Sequence, residues 1–339
     1  MNRVAFILDQ FELQSPGQQL LDRFLIGYKH DGAFNATPAK VMLSMPKADE
    51  NPMIQGRQSE FDLEIARSIE SAASSADLLV LAPGTRKYLE ARSIPLHQVL
   101  SARTPKQSVF IDGSILPPQE TLRSIQSQII VSQAAAHLFP LPVRPVFRPA
   151  GLRRALVVVQ GLFPQAEIDA LFALKPYLDP SWTQTSIPTI QHLQDDKLWN
   201  FVYSSDWRPL LQAAISRSNN IKGDPEKDGR TQDIVGLQLL EKLARTARGW
   251  HLQNTDGIQT LVLVCDDALT DFNFALEADG QIHSAQLYHG QSPMENHYDE
   301  MAAWILEQFT NPSAPGHFVL SITDIANTMK SLKPPPANS

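Results

Sequence analysis

Five short apolar runs, each followed by a helix-like or turn-rich stretch, fill the first 135 residues and constrain the fold more than any other feature. They are Arg3–Leu8, Lys40–Leu43, Asp77–Ala82, Ser108–Ile111 and Gln128–Ser132. A strand buried on both faces reads as a continuous apolar run, whereas a half-exposed strand alternates. Strands alternating with helices predict a parallel sheet covered on both sides. The first helix is well signalled. Ser15 is an N-cap, Pro16 fills the first helical position, and Gln18 completes a Ser-x-x-Gln capping box. Leu20, Leu21, Phe24, Leu25 and Tyr28 then share one face. The polar stretch Pro46–Arg57 predicts a surface loop, and the spacing of Phe61, Ile65 and Ile69 predicts one helix. Further helical stretches are expected near Leu89–Leu100 and Leu122–Ile125.

Pro140, Pro142, Pro145 and Pro149 then crowd ten residues. Such a run opposes both helix and central strand, and it predicts the connection between two domains. The expected division is a first domain at 1–138, a Pro-rich connection at 139–152, a second domain at 153–332 and a frayed tail at 333–339. In the second domain Ala155–Val159 reads as a strand and Gln165–Leu174 as a helix, with more helices near Trp207–Arg217 and Ile234–Arg248. Three longer strands follow at Gln259–Cys265, Asp271–Glu277 and Gln281–His289, the last two joined by Asp279-Gly280, a hairpin dipeptide. Two helices close the chain, the first marked by Met301, Trp304, Ile305 and Phe309. The fold class expected is α/β: a parallel-sheet domain followed by an α+β domain with a mainly antiparallel open sheet.

Composition removes several function classes. The net charge of −7, with no block of Lys and Arg, argues against nucleic acid. No apolar run reaches the roughly 18 residues of a membrane span, and the N-terminus does not read as a signal peptide. Cys265 is the sole cysteine, so no intrachain disulfide or cysteine zinc motif can form; a cytoplasmic location is expected. Glycine is sparse, at 16 residues, and proline abundant, at 25.

The turn after the first strand bears on cofactors. A dinucleotide fingerprint places Gly-x-Gly-x-x-Gly there, so that backbone can approach a pyrophosphate at a helix N-terminus. This chain has Asp9-Gln10-Phe11-Glu12-Leu13-Gln14-Ser15-Pro16-Gly17 instead. Two carboxylates would face the phosphates, and Pro16 removes one donor. Walker-type loops and Gly-x-Ser-x-Gly elbows are also missing from the sequence. Ligands in open parallel sheets bind beyond the carboxyl ends of the strands. Those ends carry Asp9, Gln10 and Glu12, then Thr85 and Arg86, then Asp112 and Ser114, then Gln133. This rim suits a polyhydroxylated or amine-bearing small molecule, while Asp9 and Asp112 equally suit turn capping. Gln10, Thr85, Arg86 and Ser114 are candidate binding residues. Asp9, Asp112, His283 and His289 are candidates for proton transfer. His283 and His289 would share a strand face, but with Glu295 and His297 they form no metal-ligand spacing, so no metal is expected. All five tryptophans lie in the second half, which suits either a core or a subunit interface.

The layout resembles the Gfo/Idh/MocA oxidoreductases, which have a Rossmann-type first domain and an open-sheet second domain. It is similar, more closely, to an uncharacterised bacterial family distantly related to them. The matching stretches are Leu21-Asp22-Arg23-Phe24-Leu25-Ile26-Gly27-Tyr28, Ala214-Ile215-Ser216-Arg217-Ser218, and Asp256-Gly257 through Asp271-Phe272-Asn273-Phe274-Ala275. Where that family ends its third strand in a Gly-Glu-His-Gly-type motif, this chain has Ala82-Pro83-Gly84-Thr85. Where its fourth ends in Asn-Asp-Lys-His, this chain has Ile111-Asp112-Gly113-Ser114, keeping only Asp112. The resemblance implies a protein that binds or acts on a small polar, sugar-like or amine-bearing metabolite in an interdomain cleft. The alternative is a catalytically silent partner subunit with the polar site eroded. NAD(P) is implied by the resemblance and not supported by the first-turn residues. A homodimer, or pairing with an enzyme subunit, is implied as well.

Overall fold

In the computed structural model the chain forms two compact units, residues 1–137 with 292–323, and residues 138–291 with 324–339. The structure describes residues 3–30, 33–85, 96–104, 106–112, 115, 129–132, 140–141, 151–161, 163, 165–174, 177, 189–218, 240–241, 244, 246–254, 257–265, 272–287, 293–310 and 328.

The elements of the first unit begin with β1 (Arg3–Ile7), α1 (Pro16–Ile26), β2 (Tyr28–His30), β3 (Ala33–Asn35) and β4 (Lys40–Ser44). They continue with α2 (Pro52–Phe61), β5 (Glu64–Ile65), α3 (Ile69–Ser75), β6 (Leu78–Leu81), α4 (Leu96–Ala102), β7 (Ser108–Asp112) and β8 (Ile129–Ser132). The sheet order is β5-β4-β1-β6-β7-β8, and every pairing is parallel. The short β2 and β3 form a separate antiparallel pair. β1, β4, β6 and β7 are buried on both faces. Val4 and Phe6 look toward Leu20, Leu21 and Phe24 of α1 and Ile54 of α2. Ala5 and Ile7 look toward Ala72 and Ala73 of α3 and Val99 of α4. Phe6 and Phe24 meet edge to face, ring centroids 5.3 Å apart. Burial of such side chains stabilises by about 1.5–3 kcal/mol each.

The second unit holds β9 (Pro140–Leu141), β10 (Leu152–Val159), α5 (Gln165–Leu174), β11 (Thr189–Gln194), α6 (Asp195–Val202), α7 (Arg208–Ile215), β12 (Arg248–Gln253), β13 (Gln259–Val264), β14 (Phe272–Ala278) and β15 (Gln281–Leu287). Its order is β11-β12-β13-β10-β14-β15-β9. Only β10 and β13 run parallel; the remaining pairings are antiparallel. Pro140 sits on the edge strand, where a missing N–H is tolerated. Leu156, Val158, Leu261 and Leu263 pack under α6 and α7 with Leu198, Trp199, Leu210 and Leu211. The opposite face carries Val157, Val262, Trp250 and Phe274 in register, covered by α5. Both faces of β10, β13 and β14 are thus buried within the chain itself. Trp199, Trp207 and Trp250 fill this core, at 9%, 2% and 0% exposure, while Trp304 packs against the core of the first sheet.

The last described long helix, α8 (Pro293–Thr310), corrects the sequence reading. The sequence places it with the second domain. In the structure Tyr298, Met301, Ala302 and Ile305 enter the core of the first sheet beside Leu21 and Phe24. Other elements differ too. The expected loop at 46–57 contains α2, capped by Asn51, whose side chain accepts from Met53 N–H, with Pro52 at the first position. The expected continuous helix through Phe61, Ile65 and Ile69 is broken where Asp62 turns left-handed (φ 54°) and β5 intervenes. Sequence reading also misses β2, β3, β11, α6 and β12. The helix expected at Leu122–Ile125, most of that at Ile234–Arg248 and the tail lie outside the described residues.

Candidate functional site

The carboxyl ends of β1, β6 and β7 meet at the centre of the first sheet. Here β1 lies between β4 and β6, so the strand order reverses and the connections leave β1 and β6 to opposite sides. This is the position where open α/β sheets take ligands.

In this chain two loops fill it. The 8–15 loop after β1 buries Phe11 in the core, at 5% exposure. The Arg57 guanidinium lies over the Phe11 ring, 4.7 Å from its centroid, and donates to both carboxylate oxygens of Asp22. The Pro83-Gly84-Thr85 loop after β6 is bonded directly to it. Gly84 N–H donates to Asp9 Oδ1 at 2.7 Å, Glu12 N–H to the Gly84 carbonyl at 2.8 Å, and Thr85 Oγ1–H to Glu12 Oε2 at 3.2 Å. Gly17 N–H, at the start of α1, donates to the Pro83 carbonyl at 2.7 Å. A Cβ on Gly84 would lie 1.5 Å from the Gln10 carbonyl oxygen, so only glycine permits this approach.

The N-cap forms as expected on one side only. Ser15 Oγ accepts from Gln18 N–H at 3.2 Å. The Gln18 side chain turns instead to Gln14 N–H, at 2.7 Å, where a left-handed residue (φ 64°) stands.

The structure therefore brings Asp9, Gln10 and Thr85 together, and adds Glu12 and Gly84. Asp9, Gln10 and Glu12 are half-buried and Thr85 is buried. Asp112 is 1% exposed at the end of β7, opposite Ser132 of β8, and its carbonyl accepts from Ile115 N–H. His283 lies in the second unit on β15, paired with Leu276 and half-buried. Arg86, Ser114 and His289 lie outside the described residues. Among the described residues no group of three or more metal-ligating side chains occurs. Cys265 is a buried thiol.

The second unit holds a charged centre that sequence reading misses. Glu167 of α5 is fully buried and pairs with Arg248 at 2.6 Å. Trp250 Nε1–H donates to the same oxygen, Oε1, at 3.2 Å, and Arg248 also reaches the Gly161 carbonyl at 2.8 Å. Among the described residues Oε2 of Glu167 has no hydrogen-bond partner. Burial pushes the Glu167 carboxyl above the usual carboxylate range, against the pull of Arg248. His192 stacks on Trp250 at 4.3 Å, and burial and the Arg248 charge push its pKa down. The available signal was a pair of carboxylates, Glu167 and Asp169, inside a helix otherwise rich in Ala and Leu.

No protein-family model matches the chain, and no curated protein sequence matches it. Solved structures do. A myo-inositol dehydrogenase from Lactobacillus casei, solved with NAD(H) and myo-inositol, matches at 11% identity and TM-score 0.56, covering 100% of this chain and 98% of its own. The scyllo-inositol dehydrogenase of the same organism, solved with NAD(H) and scyllo-inositol, matches at 8% identity and TM-score 0.56, over 98% and 96%. A myo-inositol dehydrogenase from Corynebacterium glutamicum gives 8%, 0.56, and the same two coverages. The chain has the Gfo/Idh/MocA-type fold. At these identities the likeness carries the two-domain architecture and leaves the chemistry to the residues.

Proposed function

We propose that this protein binds a small polyhydroxylated metabolite, inositol-like or sugar-like, at the strand ends of its first sheet. The observation that carries the reading is the set of half-buried carboxylates there, Asp9 and Glu12 with Gln10 beside them, in a fold that inositol dehydrogenases share. A carboxylate has only acceptor sites, and adjacent hydroxyls of a polyol can donate to both of its oxygens. No phosphate or carboxylate ligand would be favoured against two like charges. Asp112, at the end of β7 two strands further on, is the buried carboxylate we assign to anchoring the ligand. The neighbours named above are all dehydrogenases, and they give no support to a catalytically silent subunit.

Calorimetric titration with myo-inositol, scyllo-inositol, glucose and glucosamine tests the reading. At least one should bind with a millimolar or tighter constant, roughly −4 kcal/mol or better. Asp112→Asn should weaken that ligand about a hundredfold, some 2.7 kcal/mol, with the melting temperature retained. Silence from all four compounds overturns the reading. Unchanged affinity in a less stable Asp112→Asn variant assigns that carboxylate to the turn.

A further inference from the structure

The structural neighbours solved with NAD(H) make a dinucleotide the expected occupant of the first sheet, and the residues here do not fit one. A pyrophosphate at a Rossmann switch point needs free N–H donors at the first helix and room for close backbone approach. At α1 those donors are taken. Pro16 has none, Gly17 N–H is on the Pro83 carbonyl, and Gln18 N–H is on Ser15 Oγ. The Pro83 carbonyl oxygen thus stands where a phosphate oxygen would accept. The space is also filled, because Gly84 packs against the Gln10 backbone closely enough that a Cβ could not be inserted. The nearest carboxylates, Asp9 and Glu12, are tied into the same contact. Phe11 roots the loop in the core under Arg57, so swinging it aside would expose an aromatic ring and leave Arg57 uncovered.

We infer that the first unit is a Rossmann-type sheet whose dinucleotide crevice is closed by its own chain, with Gly84 as the residue that allows closure. Whatever this protein does with its ligand, it does without a nicotinamide dinucleotide at the switch point. The inference and the polyol reading share Asp9, Gln10 and Glu12: closure fills the space of a dinucleotide and leaves a polyol only the part of these side chains that stays exposed.

The full chain is titrated with NADH and NADPH by fluorescence, and with ADP and inorganic pyrophosphate by calorimetry. No saturable signal is expected up to about 1 mM, against the micromolar constants of a working site. Hydrogen exchange is measured in parallel, and the Gly17, Glu12 and Gly84 amides should be protected at least about a hundredfold over an open turn. Micromolar binding of NADH or NADPH overturns the inference, as does free exchange at those three amides. Gly84→Ala adds a second reading. Where it folds, protection at Glu12 and Gly17 should fall at least tenfold; wild-type protection in that variant would show that the close approach does not exist. Where it does not fold, the wild-type titration and exchange decide.

Discussion

The two sheets handle polar groups in opposite ways. The first keeps Asp9 and Glu12 half-buried at its strand ends, where each accepts from a backbone N–H or hydroxyl of the adjoining loop. Its two faces are apolar from Val4 to Ile111. The second drives a carboxylate and a guanidinium beneath α5, with Glu167 at 0% and Arg248 at 8% exposure. A strand-end hydrogen bond can be exchanged for water at a net cost of about 0.5–1.5 kcal/mol. A buried ion pair has no such exchange, since each partner needs the other. On the proposed reading ligand chemistry falls to the first sheet's strand ends, while the charged centre of the second holds α5 to β12.

The sharpest break of this contrast removes one half of the buried pair. Arg248→Met or Glu167→Leu alone should destabilise the second unit by about 3–5 kcal/mol, because an unpaired buried charge is left behind. The double replacement should recover most of that loss. Chemical denaturation followed by tryptophan fluorescence reads it well, since Trp199, Trp207 and Trp250 all lie in that unit. Single variants within about 1 kcal/mol of wild type would mean the pair is solvated, and the contrast would fall.

A second test asks where α8 belongs. Ile305 and Met301 are fully buried against the first sheet, and Arg23 of α1 meets Asp299 at 3.1 Å. Ile305→Ala should cost about 2–4 kcal/mol. Amide exchange should rise in β1, β4 and α1 and stay unchanged in β10, β13 and β14. The reverse distribution would return the helix to the second unit.

These tests separate what the sequence states from what only folding supplies. β1, β4, β6 and β7 are legible because a strand buried on both faces needs an unbroken apolar run. The Asp279-Gly280 turn is legible because both residues must reach positive φ, and they do so at 51° and 73°. The partner of α8 is not legible. Its stripe of Met301, Ile305 and Phe309 states that one face is buried and carries nothing about which sheet receives it. Helix α2 hides because Ile54 is its one buried residue, so no apolar period marks it. At the candidate site Asp9, Gln10 and Thr85 follow from strand ends alone. Their contact with Gly84, 75 residues beyond Asp9, does not. Nor does the Glu167–Arg248 pair, 81 residues apart, for which the sequence offers two ordinary charges.

The smallest expected effect is a pH dependence confined to the second unit. Burial, with the Arg248 charge, pushes the pKa of His192 below its ordinary value of 6.5. Burial does the same to His251, partly offset by its hydrogen bond to Gln259. Each folded imidazole then binds a proton less tightly than the unfolded one. Stability from these groups is fully present above the ordinary histidine range and is lost as pH falls from about 6.5 toward the depressed folded values. Glu167 acts with the opposite sign. Its raised pKa gives a contribution present below the usual carboxylate range and lost as pH rises through the folded value. Both imidazoles are only half-buried, so the effect is modest. Melting curves at pH 7.5 and pH 5.5 should show the second unit less stable at the lower value in a Glu167→Gln background, where the opposing carboxylate is silent. Adding His192→Gln and His251→Gln should narrow the gap between the two pH values. A gap left unchanged by both substitutions would show that these histidines titrate alike in the folded and unfolded chain, and that the acid sensitivity of this sheet comes from elsewhere.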